Sequence, residues 1–174
     1  TPKEFRPIIK NAVLAWNEAF ETAGFKNAVE CYEQPDTASW DAQDIRYNVI
    51  RWTSSPRPPY GGYGPSFVNP RTGQILGADI MLEFIYLSNR LPYEKLYDVA
   101  ALDNLQPESN LNYDNCAYGE AMHQNILYGT QIMNAFDFSE INKDEFIKQA
   151  LYDLVLHEVG HTFGLNHNFI ASQL

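Results

Sequence analysis

A chain of 174 residues, 45 % hydrophobic and 20 % charged, is ordinary globular material, sized for one domain whose core needs no covalent staples. Its formal net charge of −10, with no Lys/Arg clusters, argues against nucleic acid as a partner. No apolar run reaches the ~20 residues of a membrane span, and two cysteines are too few for a disulfide framework.

The acidity is spread rather than gathered in runs, which reads as a solvated surface. Cys31 and Cys116 could pair or stand as buried thiols, and the thiol reading is preferred. The start shows no signal-peptide pattern, but an opening Thr1-Pro2 without Met fits a mature or trimmed form.

Residues 3–23 read as an amphipathic helix. Phe5, Ile8, Ile9, Ala12, Val13, Trp16, Ala19, Phe20 and Ala23 recur at three- and four-residue spacing, a stripe expected to be core. Pro2 suits the start of that helix and Gly24 its stop. Ala28–Tyr32 could be a short strand. Residues 45–53 alternate as a strand, with Ile45, Tyr47, Val49, Arg51 and Thr53 on one face and Arg46, Asn48, Ile50 and Trp52 on the other. From Ser54 to Pro70 the chain is dense in Pro and Gly and reads as a loop. Its aromatics Tyr60, Tyr63 and Phe67 are expected to pack the loop onto the domain, with a binding cleft as the lesser reading.

Pro70-Arg71-Thr72-Gly73 signals a turn, and Ile75–Tyr86 alternates as a strand with Leu76, Ala78, Ile80, Leu82 and Phe84 on one face. Tyr93–Ala101 and part of Ala117–Tyr128 could be helical, with a loop over 103–115. Asp98, Asp103 and Asp114 fall where a structural calcium could form, although scattered loop aspartates are far more often simply solvated. The last helix is clearer. Asn142, with Glu145 three residues on, could cap it. Phe146, Ile147, Ala150, Leu151, Leu154 and Val155 then lead straight into His157 and His161 on one rod.

That rod carries the run of densest chemistry, His157-Glu158-Val159-Gly160-His161-Thr162-Phe163-Gly164-Leu165-Asn166-His167, of the form H-E-x-x-H-x-x-G-x-x-H. Helical positions four apart share a face, so His157 and His161 can aim at one ion. Glu158 then lies beside the ion, where the general base for a metal-activated water belongs. Gly164 can take φ > 0, end the helix and turn the chain back so that His167 reaches the same ion. Three protein ligands leave a fourth position open, the arrangement of a catalytic zinc site. A bare HExxH also arises by chance as polar residues on a helix face, but the added Gly164 and His167 leave that reading little room. The remaining histidine, His123, reads as a surface or polar contact.

With these segments in this order, the chain resembles the metzincin zinc metallopeptidases, and more narrowly the metzincin-like domain of large bacterial zinc-dependent proteases. The resemblance rests on Ala15-Trp16-Asn17 through Phe25, Ile45–Trp52, Tyr63-Gly64-Pro65-Ser66, Asn69–Gly73 and the run His157–Phe169. It implies an α+β, zincin-like fold over 1–174: a twisted mixed sheet, a backing helix and an active-site helix. It also implies one catalytic Zn2+ held by His157, His161 and His167, with Glu158 as general base. An extended peptide or protein substrate would pair with an edge strand, expected at Ile75–Phe84. An extracellular or periplasmic (bacterial) location is expected. Metzincins carry a Met-containing turn after the third histidine. Met81, Met122 and Met133 all precede the motif here, so that C-terminal subdomain is expected to be absent or truncated.

Two classes of function follow. The first is a zinc-dependent endopeptidase. The second is a catalytically impaired zinc-containing module that only grips peptides or proteins. A purely structural zinc is weaker, because closed sites use four ligands, often Cys. A thermolysin-like arrangement needs a downstream carboxylate ligand, a role His167 already fills.

Overall fold

The computed structural model describes residues 1–54, 62–83 and 143–167, together with Asn125, Tyr128, Gly129 and Ile132. The expectations for 88–116, including Tyr93–Ala101, the loop aspartates and Cys116, lie outside the described residues, as do Tyr60, His123 and Asn142. Within 117–128, Asn125 and Tyr128 are helical.

The first helix, α1, runs Arg6–Thr22. Its start is delayed by a turn in which the Phe5 amide donates to the Pro2 carbonyl (3.2 Å), and Pro7 sits in the first helical turn, where its missing N–H costs nothing. It ends on Gly24 at φ 93°, with Gly24 N–H donating to Glu21 O and Phe25 N–H to Phe20 O, both at 2.9 Å. That pair of bonds satisfies carbonyls the helix would otherwise leave open. Ala28–Tyr32 is not a strand. Val29 instead lies beside α1, with the Asn17 side-chain amide donating to its carbonyl (2.8 Å) and accepting from its N–H (2.9 Å). A side chain thus takes the backbone groups that a partner strand would have used. Cys31 is a free thiol, half-buried against the core, and that burial raises its pKa.

Strand β1 covers Val49–Thr53, only the second half of the alternating segment 45–53. Turn chemistry wins in the first half. Asp44 accepts from the Arg46 amide (3.1 Å), its carbonyl accepts from the Tyr47 amide (3.0 Å), and Tyr47 stacks on Trp40 at 4.0 Å. The Pro/Gly segment, expected to be a loop, contains strands β2 (Gly62–Tyr63) and β3 (Ser66–Val68). An Asn69–Gly73 turn, closed by Gly73 N–H to Asn69 O (2.8 Å) with Gly73 at φ 73°, feeds strand β4, Ile75–Glu83.

β4 is the centre of the sheet. β1 pairs with it in parallel, from Val49↔Asp79 to Thr53↔Glu83. On its other side lie β2 (Gly62↔Leu82, Tyr63↔Met81) and β3 (Ser66↔Ala78, Phe67↔Gly77), both antiparallel, with a bulge between Phe67 and Val68. The expectation that Ile75–Phe84 is the edge strand is therefore corrected. Among the described residues the ribbon 62–68 folds back beside β4 and forms one margin of the sheet, with β1 at the other, and Phe84 lies outside the described residues. Two side chains extend the ladder where β1 begins: Asn48 accepts from the Ala78 amide (2.9 Å) and Asp79 from the Val49 amide (3.1 Å).

The last helix, here α2, spans Lys143–Thr162. It packs beside α1, and both helices cover the sheet face bearing Ile80 and Leu82. Ile9, Ala12 and Val13 of α1 meet Leu151, Leu154, Val155 and Val159 of α2 in that core, with Trp52 stacked on Phe5 at 5.6 Å along its flank. Burying each such aliphatic side chain contributes roughly 1.5–3 kcal/mol. The helix that presents His157 is thereby held to both its neighbours. A mixed sheet with two helices on one face fits an α+β zincin-like fold.

Candidate metal centre

The structure brings His157, His161 and His167 together. Their ligand atoms lie within 4.8 Å of one another, the first two histidines being half-buried and the third exposed. His161 Nε2 is 3.0 Å and His167 Nε2 3.1 Å from His157 Nε2, so the three rings aim one nitrogen each at a common point.

Each element in this convergence has a local cause. His157 and His161 sit one turn apart on α2. The helix then stops on Gly164 at φ 86°, where Gly164 N–H donates to His161 O (2.9 Å) and Leu165 N–H to Gly160 O (3.2 Å). This is the ending seen at Gly24, and here it turns the chain so that His167 faces the helix it has just left. His161 Nδ1 is 2.8 Å from the Leu165 carbonyl oxygen. A carbonyl can only accept, so Nδ1 carries the proton and Nε2 presents its lone pair to the centre. Burial, followed by the neighbouring His161 and His167, lowers the His157 pKa to about 4, which keeps its ring neutral and available as a donor.

A metal fits these residues. Nitrogens bound ~2.0–2.1 Å from a tetrahedral ion lie about 3.3 Å apart, close to the 3.0 and 3.1 Å that separate His157 Nε2 from its two partners. Neutral imidazoles suit zinc, and three of them leave a coordination position open.

Glu158 lies at the back of this cluster. It is completely buried, and among the described residues neither carboxylate oxygen completes a hydrogen bond. Burial raises its pKa to about 7, against the opposing pull of His161 and of the Gly64 N–H, which lies near the carboxylate without completing a hydrogen bond to it. The roof over it is the sheet ribbon. A Cβ at Gly62 would stand 2.9 Å from Glu158 Cγ and Oε1, and one at Gly64 only 2.7 Å from the Glu158 carbonyl oxygen. These glycines were not among the sequence candidates. The available signal was the alternation of small residues at 62, 64 and 66, the positions that face the helix, but the Pro/Gly density masked it.

Tyr63 is half-buried, while Phe67 is 48 % exposed and so does not pack the ribbon down as expected. Among the described residues no helix is long and apolar enough to cross a membrane.

Residues 139–174 match a family model described as Met-zincin, a segment that contains all of α2, its glycine stop and all three clustered histidines. Comparison with curated proteins and with solved structures returns no match. Through its histidine-bearing segment the chain is similar to the Met-zincins, and the resemblance to metzincin-type zinc peptidases read from the sequence holds.

Proposed function

We propose that the chain is a zinc-dependent endopeptidase domain spanning 1–174, with His157, His161 and His167 as the ligands of one zinc ion and Glu158 as general base. The observation that carries this reading is the convergence of three imidazole nitrogens beside a completely buried carboxylate that has no hydrogen-bond partner among the described residues. A structural pair or a surface histidine cluster would not need that carboxylate, and leaving one unpaired in a core is costly.

Zinc, when bound, supplies Lewis-acid polarisation of a scissile carbonyl and makes water a stronger acid near neutral pH. The rest falls to the chain's own residues. Glu158 accepts the proton of the attacking water and returns it to the leaving amine. The Leu165 carbonyl keeps His161 in the tautomer with a free Nε2. The sheet ribbon excludes bulk water from Glu158, which strengthens each electrostatic interaction there.

An extended peptide would add to the outer side of the ribbon 62–68, where no strand pairs among the described residues. That moves the substrate strand from Ile75–Phe84 to its neighbour. An extracellular or periplasmic setting, as for the large bacterial proteases the chain resembles, accords with this activity.

The test is metal analysis together with cleavage of an unstructured protein. One zinc per chain and cleavage abolished by Glu158→Ala with the zinc retained would support the reading. A chain that binds zinc and peptide but never cleaves is the binding module instead, and undiminished cleavage by Glu158→Ala would remove Glu158 from its role.

A further inference from the structure

Where the ribbon 62–68 comes closest to α2, it rests on Glu158. Gly62 lies opposite Leu82 and Ser66 opposite Ala78, so 62, 64 and 66 share the face of the sheet that carries the core residues Ala78, Ile80 and Leu82. On that face the ribbon has no side chain larger than serine. A stripe of small residues alone would only mean close packing. Here it lies against a carboxylate with 0 % exposure and, among the described residues, no completed hydrogen bond on either oxygen.

The two glycines touch different parts of that residue. Gly62 covers the side chain: a Cβ there would stand 2.9 Å from Cγ, 2.9 Å from Oε1 and 3.1 Å from Cδ. Gly64 covers chiefly the backbone: a Cβ there would stand 2.7 Å from the Glu158 carbonyl oxygen and 3.3 Å from its carbon, with the side-chain Oε2 also at 3.3 Å. We propose that Gly62 and Gly64 are positioning residues for Glu158, the first setting where its carboxylate can lie and the second setting how closely the ribbon approaches the helix. This proposal rests on the peptidase reading for its catalytic consequence, while the packing it names is independent of that reading.

The two positions have distinguishable effects. Alanine at 62 meets the movable end of a side chain, so the fold yields by displacing the carboxylate. Alanine at 64 meets main chain, so the ribbon itself must lift. A displacement of about 1 Å in a reacting group costs on the order of 10²-fold in rate.

The experiment uses the full chain loaded with zinc, with Gly62→Ala and Gly64→Ala each made in the parent and in a Glu158→Ala background. For Gly62→Ala we expect kcat to fall by about 10- to 100-fold with KM within about threefold, and zinc affinity in a chelator competition to remain at the parent value. In melting of the metal-free proteins, the loss of Tm caused by Gly62→Ala should largely vanish in the Glu158→Ala background, where Cγ, Cδ and Oε1 are gone. The loss caused by Gly64→Ala should persist there, because the carbonyl oxygen remains. Unchanged kcat in Gly62→Ala, a rate loss that follows zinc loss, or equal Tm losses for Gly62→Ala in both backgrounds would each overturn the proposal. A parent that cleaves nothing counts against the peptidase reading alone, and the melting comparison then decides the positioning contact.

Discussion

The indole Nε1–H of Trp16 donates to the carbonyl oxygen of Leu156 at 3.0 Å, joining the backing helix to α2 one residue before His157. The same ring lies under Gly160, where a Cβ would stand 2.9 Å from Trp16 Cζ2, and it meets Phe163 edge-on at 5.5 Å. Trp16 therefore braces the turn of α2 that lies between the first two histidines. Gly160→Ala gains about 1 kcal/mol of helix propensity but forces the rigid indole aside, at a cost of about 1–3 kcal/mol. The expected outcome is a less stable protein in urea melts, with stability regained when Trp16→Leu is added. An additive double variant would show that the two residues are not in contact.

Metal binding should stabilise the fold. With free zinc at a hundred times its dissociation constant, the gain is about 2.7 kcal/mol, which calorimetry reads as a Tm several degrees higher. His157→Ala, His161→Ala and His167→Ala should each remove most of that rise. Gly164→Ala should weaken it while leaving all three ligands in place. Its φ of 86° strains an alanine by about 1–2 kcal/mol, and the new Cβ would come 3.3 Å from Ile75 Cδ1. An unaltered zinc response in Gly164→Ala would mean that His167 does not depend on this helix ending.

The metal-free protein should carry a pH-dependent burden at Glu158. Its folded pKa of about 7 lies above the 4.5 of the free group, so its contribution is fully favourable below pH 4.5 and is lost as pH rises through 7. The loss amounts to about 3 kcal/mol. His157 acts the other way, since its folded pKa of about 4 lies below 6.5, and stability falls as pH drops between those values. Comparing parent with Glu158→Gln isolates the carboxylate, because both keep His157. Chelator-treated Glu158→Gln should gain on the parent by up to about 3 kcal/mol at pH 8 and far less at pH 4.5. An equal difference at both pH values would show that the carboxylate is not buried as described.

Asn17 should be intolerant even of aspartate. Its amide both donates to and accepts from Val29, and aspartate offers no donor for that carbonyl. Asn17→Asp and Asn17→Ala are each expected to cost about 1–3 kcal/mol in urea melts, with zinc affinity unchanged. A shift in zinc affinity would tie residues 28–32 to the metal centre.

What the sequence made legible was local. The apolar stripe of α1, the rod from Lys143 into His161 and the two glycine stops all follow from spacing of 3.6 and from φ > 0, and each lies where its residues place it. The three histidines were readable for the same reason, since a helix and its end fix their geometry without help from the rest of the chain. The ribbon 62–68 was not readable. Its strands draw their hydrogen bonds from β4, and Gly62, Gly64 and Pro65 have the lowest strand preference of any residues. Segment 45–48 failed in the opposite sense, because alternation favoured a strand while Asp44 offered the backbone a turn. Both misses are places where partners distant in sequence or a single polar side chain outweighed pattern.

The outer side of that ribbon also poses a hazard of self-association. A sheet margin that welcomes an extended peptide would welcome the same margin of a second molecule, and open margins are where β proteins begin to aggregate. The bulge at Phe67–Val68 bends this margin, and its two short strands limit the length of any continuous template. The composition that lets the ribbon rest on Glu158 thus also guards it against its own kind, so stiffening 62–66 with β-branched residues would trade solubility for strand order.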